Sequence, residues 1–483
     1  RGVSRLRIDP ALSEYQQEGL RQRALKMSFF KASVEILGYV PAWGSLTGVR
    51  PAKLAARLLR GGMTPRQADR ELERTYQVSA PRRRMCIEAA QAGIAAKEAL
   101  APNEISLYVG IPFCPTRCAY CSFVSQSVER SFKLMEPYLE ALEHEITLAG
   151  QMVRDTGLRI KAFYMGGGTP TTLSARQMDH LLTHLNRCFD LSGVVEYCIE
   201  AGRPDTIDRE KLQVLLDHGA DRISVNPQSL DDRVLRAIGR IHTFEQVQQS
   251  VTAARKAGFR NISMDLIYGL PGQTMEQWEK TLSDAVGLLP EHLSCYGLKL
   301  EESTPLYERR AELTLPDEEQ QADMYLYAVE FLKQCGYEQY EISNFARPGF
   351  VSRHNMKYWT GDEYLSFGPC AASDFAGKRF TIAPDIEKYM EGVLNKGAIL
   401  SECETVPMRE RAGEYLMLRL RTVDGVEEGE YTKSFLLPFE PLEEVFQKLS
   451  KQDLCKNVSG RWRLTPKGFM LSNSILVELL EAQ

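Results

Sequence analysis

The strongest constraint on the fold is an alternation of short apolar segments with helical ones between residues 104 and 345. The apolar segments are rich in β-branched and aromatic residues, which predicts strands. The predicted strands are 105–111, 161–165, 197–200, 222–225, 262–267 and 293–300, and the predicted helices are 137–155, 175–188, 209–218, 243–257 and 274–289. Strands that alternate with helices form parallel sheets. Six units are too few for a closed eight-stranded barrel, so we predict a partial (β/α)6 barrel.

The segments on either side have a different character. Residues 11–37 and 54–59 show helical spacing, and Thr64 and Gln67 form a predicted capping box. Beyond residue 345, an aromatic and polar loop precedes further helices and a strand, predicted at 407–420, 435–449, 472–480 and 461–465. We therefore predict an α/β protein with three domains. These are a helical, basic N-terminal domain (1–103), the partial barrel (104–345) and an α+β, winged-helix-like C-terminal accessory domain (346–483).

Composition and charge narrow the classes of protein. The chain is 43% hydrophobic and 25% charged, as in globular proteins, and has no apolar run of about 18 residues. We therefore expect a cytoplasmic protein without a membrane span. The first hundred residues contain 18 Lys and Arg against 9 Asp and Glu. Such an excess of positive charge occurs on nucleic-acid contact surfaces and on solvated faces of helices. We favour a solvated helical face for this segment.

Eleven cysteines at irregular spacing do not form a disulfide framework. Seven stand alone between apolar neighbours and are predicted core residues: Cys86, Cys188, Cys198, Cys295, Cys335, Cys403 and Cys455. Cys114, Cys118 and Cys121 differ, since they form a compact C-x₃-C-x₂-C motif after the first strand. Three such thiolates can hold a [4Fe–4S] cluster and leave one iron open, which S-adenosylmethionine can chelate through its amino and carboxylate groups.

Two alternatives compete for this motif. Structural zinc needs four ligands, yet His242, His292 and His354 lie far from the motif and from one another in the sequence. Three incidental thiols would leave their compact spacing unexplained. We therefore favour the iron–sulfur cluster, with Tyr120 placed to stack near the adenine.

Polar and glycine residues also follow the second and third strands. Gly166–Gly168 after the second strand are predicted to approach a ligand and to offer N–H groups to the methionine end of S-adenosylmethionine. Glu200, at the end of the third strand, is predicted to accept hydrogen bonds from ribose or from the amino group. Barrel enzymes build their sites at this carboxyl end of the strands.

Longer segments extend these motifs: 108–123, 165–173, 199–204, 222–242, 264–274, 340–349, 354–359 and 464–480. In this order they resemble the oxygen-independent coproporphyrinogen III oxidase family of radical SAM proteins. The N-terminal segment 43–54 is similar to the branch labelled HemZ. The resemblance implies that Cys114, Cys118 and Cys121 bind the cluster. It also implies a set of S-adenosylmethionine contacts: Tyr108, Tyr120, Gly167, Gly168, Thr169, Glu200, Gln228, Arg240, Asp265 and Gly297.

The family chemistry then follows as an expectation. Arg240 pairs with the cofactor carboxylate, while Asp265 and Gln228 bind its ribose or amino group. An external one-electron donor, such as a flavodoxin or ferredoxin, reduces the cluster, and S-adenosylmethionine is cleaved to methionine and a 5′-deoxyadenosyl radical. In the porphyrinogen enzymes this radical takes hydrogen from a propionate, which loses carbon dioxide and becomes vinyl.

Three positions complicate that expectation. The decarboxylating enzymes have a cysteine where this chain has Phe123 and a histidine where it has Gly110. His354 belongs to an H-N-x-x-Y-W segment that is typical of relatives that bind heme, so it is a candidate heme ligand, with Cys370 as an alternative. A buried His–Asn pair under an aromatic lid is the simpler interpretation of His354, and we favour it.

Three functional hypotheses remain open, all with a tetrapyrrole as substrate or cargo. The leading one is oxidative decarboxylation of coproporphyrinogen III to protoporphyrinogen IX. The second is a heme-binding chaperone that transfers heme, which Phe123 and His354 motivate. The third is another radical reaction on a tetrapyrrole, such as anaerobic heme ring opening.

Overall fold

The computed structural model describes residues 3–4, 14–46, 54–55, 58–59, 63–84, 86–87, 103–395 and 397–483. The chain forms two compact units, Arg1–Pro102 and Asn103–Gln483. The larger unit contains every residue that the sequence places in a cofactor site. No described helix is both long and apolar enough to span a bilayer.

The smaller unit contains the helices Glu14–Leu37 and Pro65–Tyr76. The predicted capping box is confirmed, because the Thr64 side chain accepts from the Gln67 N–H and Gln67 caps the Thr64 N–H in return. The described core of this unit is small, and it consists of Leu46, Leu54, Ala55, Leu72, Val78, Cys86 and Ile87. The predicted start of the first helix, at Ala11, lies outside the described residues.

The six predicted strands are confirmed in the larger unit. They are β1 (Glu104–Ile111), β2 (Arg159–Gly167), β3 (Glu196–Glu200), β4 (Arg222–Ser224), β5 (Asn261–Tyr268) and β6 (His292–Gly297). They pair in chain order and all in parallel. Their β-branched and aromatic residues form a nearly continuous apolar core with the helices outside. The carboxyl ends of all six strands therefore meet at one edge of the sheet.

The sheet is open, since further strands extend it beyond both β1 and β6. Tyr364–Phe367 pairs in parallel with β1, and three antiparallel strands follow it outward: Ala372–Phe375, Lys378–Ile382 and Leu400–Thr405. On the other side, Asn344–Ala346 pairs with β6 and Glu338–Gln339 completes the edge. The predicted division at 345/346 therefore falls inside this sheet, because backbone pairing continues across the change in composition.

The helices of this unit cover the sheet and connect its strands. They are Val128–Thr156, Ala175–Cys188, Arg209–Asp217, Asp232–Ala237, Phe244–Ala257, Met275–Gly287, Pro305–Glu308, Glu318–Gln334, Arg353–Thr360 and Ile386–Leu394. The first was predicted to begin at Pro137, but it begins at Val128 and includes this proline. Proline removes one backbone hydrogen bond, yet the buried residues Met135, Tyr138 and Leu139 around it pack into the core. Packing thus overrides the local signal.

Residues beyond 405 build a second hydrophobic core. It contains the helices Met408–Arg419, Glu428–Phe435, Glu440–Ser450, Pro466–Met470 and Ser472–Ala482, with a sheet of Val426–Glu427, Cys455–Val458 and Arg461–Leu464. The prediction that Cys403 is a core residue is wrong. Cys403 is exposed, because its strand Leu400–Thr405 forms the outer edge of the large sheet. Cys335 is only half-buried.

Candidate functional site

A cavity of about 510 Å³ opens at the carboxyl ends of β1 to β6. Its size lies within the range of small-molecule sites, roughly 300–1,000 Å³. It brings together all three motif cysteines and nine of the ten predicted S-adenosylmethionine contacts. The nine are Tyr120, Gly167, Gly168, Thr169, Glu200, Gln228, Arg240, Asp265 and Gly297. The segments that carry them are up to about 180 residues apart in sequence and meet only because the strands are parallel and adjacent.

The cysteine loop is held in place by its neighbours in the sheet. Cys114 lies on a short strand, Phe113–Cys114, that pairs with Gln126–Ser127 and closes the loop. The Ala119 N–H donates to the Ile238 carbonyl at 3.0 Å, which ties the loop to the helix after β4. Arg203, only 2% exposed, donates from Nη1 to the Thr116 hydroxyl at 3.1 Å. Contacts from three sides thus position the thiols.

The glycine loop after β2 packs against the start of the cysteine loop. A Cβ on Gly168 would lie 2.6 Å from the Phe113 carbonyl oxygen, so only glycine fits there. The N–H groups of Gly168 and Thr169 donate to the carbonyls of Ile111 and Phe113, both at 2.8 Å. The N–H groups of Gly168 and Thr169 are therefore engaged within the protein, and the prediction that the glycines offer N–H groups to a ligand stays open for Gly166 and Gly167. The Thr169 hydroxyl instead reaches Cys114 Sγ at 3.5 Å.

The thiols themselves suit a cluster better than a single ion. Among the described residues, no three His, Cys, Asp or Glu side chains converge as ligands of one metal ion. Zinc needs such convergence, whereas in a [4Fe–4S] cluster each thiolate binds a different iron. Burial raises the pKa of the Cys114 and Cys121 thiols. Their thiolates therefore need a positively charged metal partner to form.

Arg240 brings an uncompensated cation into the cavity wall. Its side chain is 6% exposed, and Nη1 donates to the carbonyls of Asn226 at 2.5 Å and Gly202 at 3.3 Å. Nη2 donates to the Tyr120 hydroxyl at 3.3 Å, and Nε has no hydrogen-bond partner in the described part of the chain. A buried guanidinium without an acidic partner is costly, and a ligand carboxylate would relieve that cost.

Glu200 and Asp265 supply the acidic side of the same cavity. The Tyr164 hydroxyl donates to Glu200 Oε1. Burial raises the pKa of Glu200 to about 8, with a contribution from the charge of Asp265 and against the hydrogen bond from Tyr164. Burial likewise raises the pKa of Asp265, although Ser294 hydrogen-bonds it. The two carboxyl groups form an acceptor-rich wall suited to ribose hydroxyls or an ammonium group.

Gln228 has a strained backbone, with φ of 69° in the left-handed region. Its N–H donates to the Asp265 carbonyl at 2.9 Å, and its own carbonyl accepts from Ile267 at 2.7 Å. Such strain in a non-glycine residue concentrates at functional sites. Tyr108 is the one predicted contact that does not line the cavity. It lies beneath the floor, where its ring stacks on Tyr164 with centroids 6.1 Å apart.

His354 lies outside the cavity as well. It is 3% exposed on the helix Arg353–Thr360, with its ring stacked on Tyr164 at 4.6 Å and its Nε2 hydrogen-bonded to the Tyr358 hydroxyl at 3.0 Å. Burial lowers the pKa of His354 to about 3, reinforced by the charges of Lys357 and Arg222. His354 Nδ1 has no hydrogen-bond partner among the described residues. The favoured interpretation of a buried, hydrogen-bonded histidine thus agrees with its surroundings, but its partner is Tyr358 and not Asn355.

Comparison with known proteins gives the family. The sequence matches the radical SAM superfamily over residues 108–285 and the HemN C-terminal domain over residues 406–471. It is 37% identical over 382 residues to the heme chaperone HemW of Lactococcus lactis, covering 78% of this chain and 97% of that protein. This chain belongs to the radical SAM superfamily. Within it, the chain is a member of the group that includes HemN, HemZ and HemW.

Two further relatives are similar to this radical SAM protein, one in sequence and one in structure. The oxygen-independent coproporphyrinogen-III oxidase-like protein HemZ of Bacillus subtilis is 37% identical over 308 residues, 63% of this chain and 62% of that protein. The structure of coproporphyrinogen III oxidase HemN from Escherichia coli, a radical SAM enzyme, aligns with a TM-score of 0.69 at 25% identity. The alignment covers 80% of this chain and 93% of that chain. The expected family and the radical SAM fold with its C-terminal accessory region are therefore confirmed.

Members of this superfamily bind a [4Fe–4S] cluster and S-adenosylmethionine, and the cavity fits both. Three thiols on one loop match a cluster with an open iron, and the unpaired Arg240 matches a carboxylate. When bound, the cluster and S-adenosylmethionine supply one-electron chemistry at this cavity. The residues that would hold the two groups are the three thiols, with Arg240, Glu200 and Asp265 around them.

Sequence reasoning missed several cavity residues. Tyr164, Cys198 and Arg222 point into the cavity from β2, β3 and β4, where the sequence shows only strand residues. Cys198 is a predicted core residue. It is buried, but it also lines the cavity floor. Arg203 lies in the segment 199–204 that carries the family resemblance, so that segment was the available signal. For Tyr164, Cys198 and Arg222, only the rule that alternate strand residues point to the same face could have indicated that they line the cavity.

Proposed function

We propose that this radical SAM protein is a heme chaperone, which binds heme and transfers it to acceptor proteins. The observation that carries the proposal is the near-complete match to proteins of that name. The heme chaperone HemW of Lactococcus lactis aligns over 97% of its length, and that of Bacillus subtilis also aligns over 97%, at 34% identity. The cluster and S-adenosylmethionine residues are retained beside this role.

Two features of the cavity support a chaperone over a decarboxylase. Phe123 stands where the decarboxylating family members have a cysteine, and it is 68% exposed at the cavity wall. An exposed aromatic ring there offers an apolar contact to a macrocycle and cannot serve as a thiol. Gly110 stands where those enzymes have a histidine. A Cβ added to Gly110 would lie 3.5 Å from Cε1 of Tyr108.

Oxidative decarboxylation of coproporphyrinogen III is the second candidate. The alignment with the HemN structure and the match to HemZ favour it. In that case a carboxylate-bearing substrate would occupy the cavity beside S-adenosylmethionine. The third hypothesis, anaerobic heme ring opening, is tested by the same assay.

One anaerobic experiment separates the candidates. The full chain, with its cluster reconstituted, is incubated with hemin and then with an apo-hemoprotein such as apomyoglobin, and transfer is followed through the Soret band. In parallel, the protein receives S-adenosylmethionine and dithionite with either coproporphyrinogen III or hemin, and the products of each mixture are separated by chromatography.

The outcomes differ clearly. Stoichiometric heme binding with transfer to apomyoglobin, and no vinyl-bearing product from coproporphyrinogen III, is the expected result. Conversion of coproporphyrinogen III to protoporphyrinogen IX would instead establish the oxidase. Consumption of heme with linear or methylated products would support ring opening. Either of these last two results contradicts the proposal.

The remaining expectations fit this proposal. An external one-electron donor, such as a flavodoxin or ferredoxin, would keep the cluster reduced, and a tetrapyrrole would be the cargo. All eleven cysteines are free thiols, which suits the reducing cytoplasm as the proposed location.

A further inference from the structure

A second cavity, of about 390 Å³, lies beside the first one. Tyr296 and Asn355 line both cavities, so the two spaces share part of their walls. The second cavity lies between the barrel edge and the C-terminal residues, and Glu341, Asn344, Trp359 and Arg421 form its walls. None of these four belongs to the predicted cofactor site. We call this space the Trp359 cavity.

Two buried polar side chains of the Trp359 cavity have unsatisfied oxygens. Glu341 is 1% exposed, and its Oε1 accepts from the Ser343 N–H at 3.2 Å, while its Oε2 has no partner among the described residues. Asn344 is 4% exposed, and its Oδ1 also has no partner there. Buried polar atoms are almost always hydrogen-bonded in native proteins. Both atoms are acceptors, so a ligand group that carries a proton can satisfy one of them.

Arg421 presents a cation to the same cavity. The side chain is half-buried, and Nη2 donates to Asn473 Oδ1 at 2.8 Å. Burial lowers its pKa, with no contribution from an acidic side chain in residues 103–395 and 397–483. A guanidinium that loses water without gaining an anion is suited to bind a carboxylate in a bidentate manner.

Aromatic rings supply the remaining walls. Tyr296, Tyr358 and Trp359 line the cavity, and Tyr358 and Trp359 also line a third space of about 360 Å³ on their far side. Three neighbouring cavities thus share aromatic walls. A flat molecule in the Trp359 cavity can lie with its plane against the indole.

We propose that the Trp359 cavity binds the propionate-bearing edge of a tetrapyrrole, with one carboxylate on Arg421 and the macrocycle against Trp359. Glu341 then hydrogen-bonds the carboxyl group through one proton that the two groups share. This assignment rests on the proposed function for the identity of the cargo. Burial raises the pKa of Glu341 to about 7, so a proton is available to share at neutral pH.

Propionate recognition is tested with a ligand that lacks the charge. Hemin and hemin dimethyl ester are each titrated into the full-length, cluster-reconstituted protein and its variants, and Kd is measured by absorbance. Arg421→Leu should weaken hemin binding about ten- to a hundredfold, the usual worth of a charged hydrogen-bonded pair. It should leave the affinity for the dimethyl ester unchanged. Arg421→Lys should restore part of the loss, and the exposed Arg409→Leu serves as the matched control.

The controls separate this inference from the proposed function. Equal hemin affinity for wild type and Arg421→Leu would overturn the inference and leave the chaperone function intact. An equal loss for hemin and for its dimethyl ester would also overturn it, since the loss would then be structural. If wild type binds coproporphyrin III but not hemin, and the binding depends on Arg421, the inference stands while the chaperone function fails. If wild type binds neither, both fail.

Discussion

The Arg222 guanidinium lies 3.5 Å from the Glu196 carboxylate, and the two side chains are only 3% and 4% exposed. The same carboxylate accepts from the N–H groups of Arg353 at 2.9 Å and His354 at 3.0 Å. It therefore caps the helix Arg353–Thr360 and ties this helix to β3 and β4. Residues of this helix line both the cofactor cavity and the Trp359 cavity. The Glu196–Arg222 pair therefore fixes the position of the two cavities relative to each other.

Removal of the Glu196 charge should destabilise the protein strongly. Glu196→Gln leaves Arg222 buried without an anion, and such losses cost about 3–5 kcal/mol. The urea midpoint should fall accordingly. Asp284→Asn, which breaks an exposed pair with Lys280, should change stability by under about 1 kcal/mol. The double variant Glu196→Gln with Arg222→Met should recover part of the loss. Full additivity would show that the two residues do not act as a pair.

Gly168→Ala should disturb the cysteine loop. Its Cβ would lie 2.6 Å from the Phe113 carbonyl oxygen and 2.8 Å from that of Ile111, so the backbone beside Cys114 must move. We expect a lower iron content after reconstitution and a shifted S-to-iron absorption band. Gly193→Ala is the matched control, since a Cβ there meets nothing within 4 Å. Normal iron loading of Gly168→Ala would contradict the proposed link between the two loops.

Cys118→Ala should abolish the cluster, since Cys118 is the central thiol of the motif and lies buried in the cavity wall. Visible absorbance and the EPR signal of the reduced cluster should both be lost. Cys403→Ala, at an exposed thiol outside the cavity, should keep both signals. A cluster that survives in Cys118→Ala would rule out the predicted ligand set.

The alternation of strands and helices was sufficient to predict the fold, because a parallel sheet needs that order and each strand is buried on both faces. Helix starts were predicted where a capping box is local, as at Thr64, and missed where packing overrides it, as at Pro137. The sheet's continuation past residue 346 could not be predicted, because strand Tyr364–Phe367 pairs with β1 across more than 250 residues of sequence.

For the site, motif residues on loops were easier to predict than inward-facing strand residues. Cys118 and Arg240 stand in recognisable segments, and the structure places both in the cavity. The buried partners Tyr164 and Arg222 carry no local signal, since strand tyrosine and arginine occur in many roles. Tyr108 stays a predicted cofactor contact: its ring stacks on Tyr164, and its hydroxyl lies 3.4 Å from where a Cβ of Gly167 would be.

Glu200 should make the stability of the cofactor-free protein depend on pH. Its pKa is about 8 in the folded state, against about 4.3 in an unfolded chain. Between these values the folded state binds more protons, so stability is fully present at low pH and is lost as pH rises through 8. The melting temperature should therefore fall between pH 6 and pH 9.

Glu200→Gln removes this titration and should reduce the fall. Part of the slope should remain, because burial also raises the pKa of Glu145 and of Glu341 to about 7. An unchanged slope in Glu200→Gln would show that Glu200 is ionised throughout this range.

Arg240 should contribute to S-adenosylmethionine binding through charge and not through packing. Its Nη1 is held by two carbonyls while Nε has no partner among the described residues, so the group is fixed in place with an unused donor. Arg240→Met keeps much of the volume and removes the charge, and it should weaken S-adenosylmethionine about ten- to a hundredfold in equilibrium dialysis without reductant. Affinity for 5′-deoxyadenosine, which has no carboxylate, should stay the same. The exposed Arg236→Met should bind both molecules like wild type. An equal loss for both ligands would mean that Arg240 supports the cavity wall and does not bind the carboxylate.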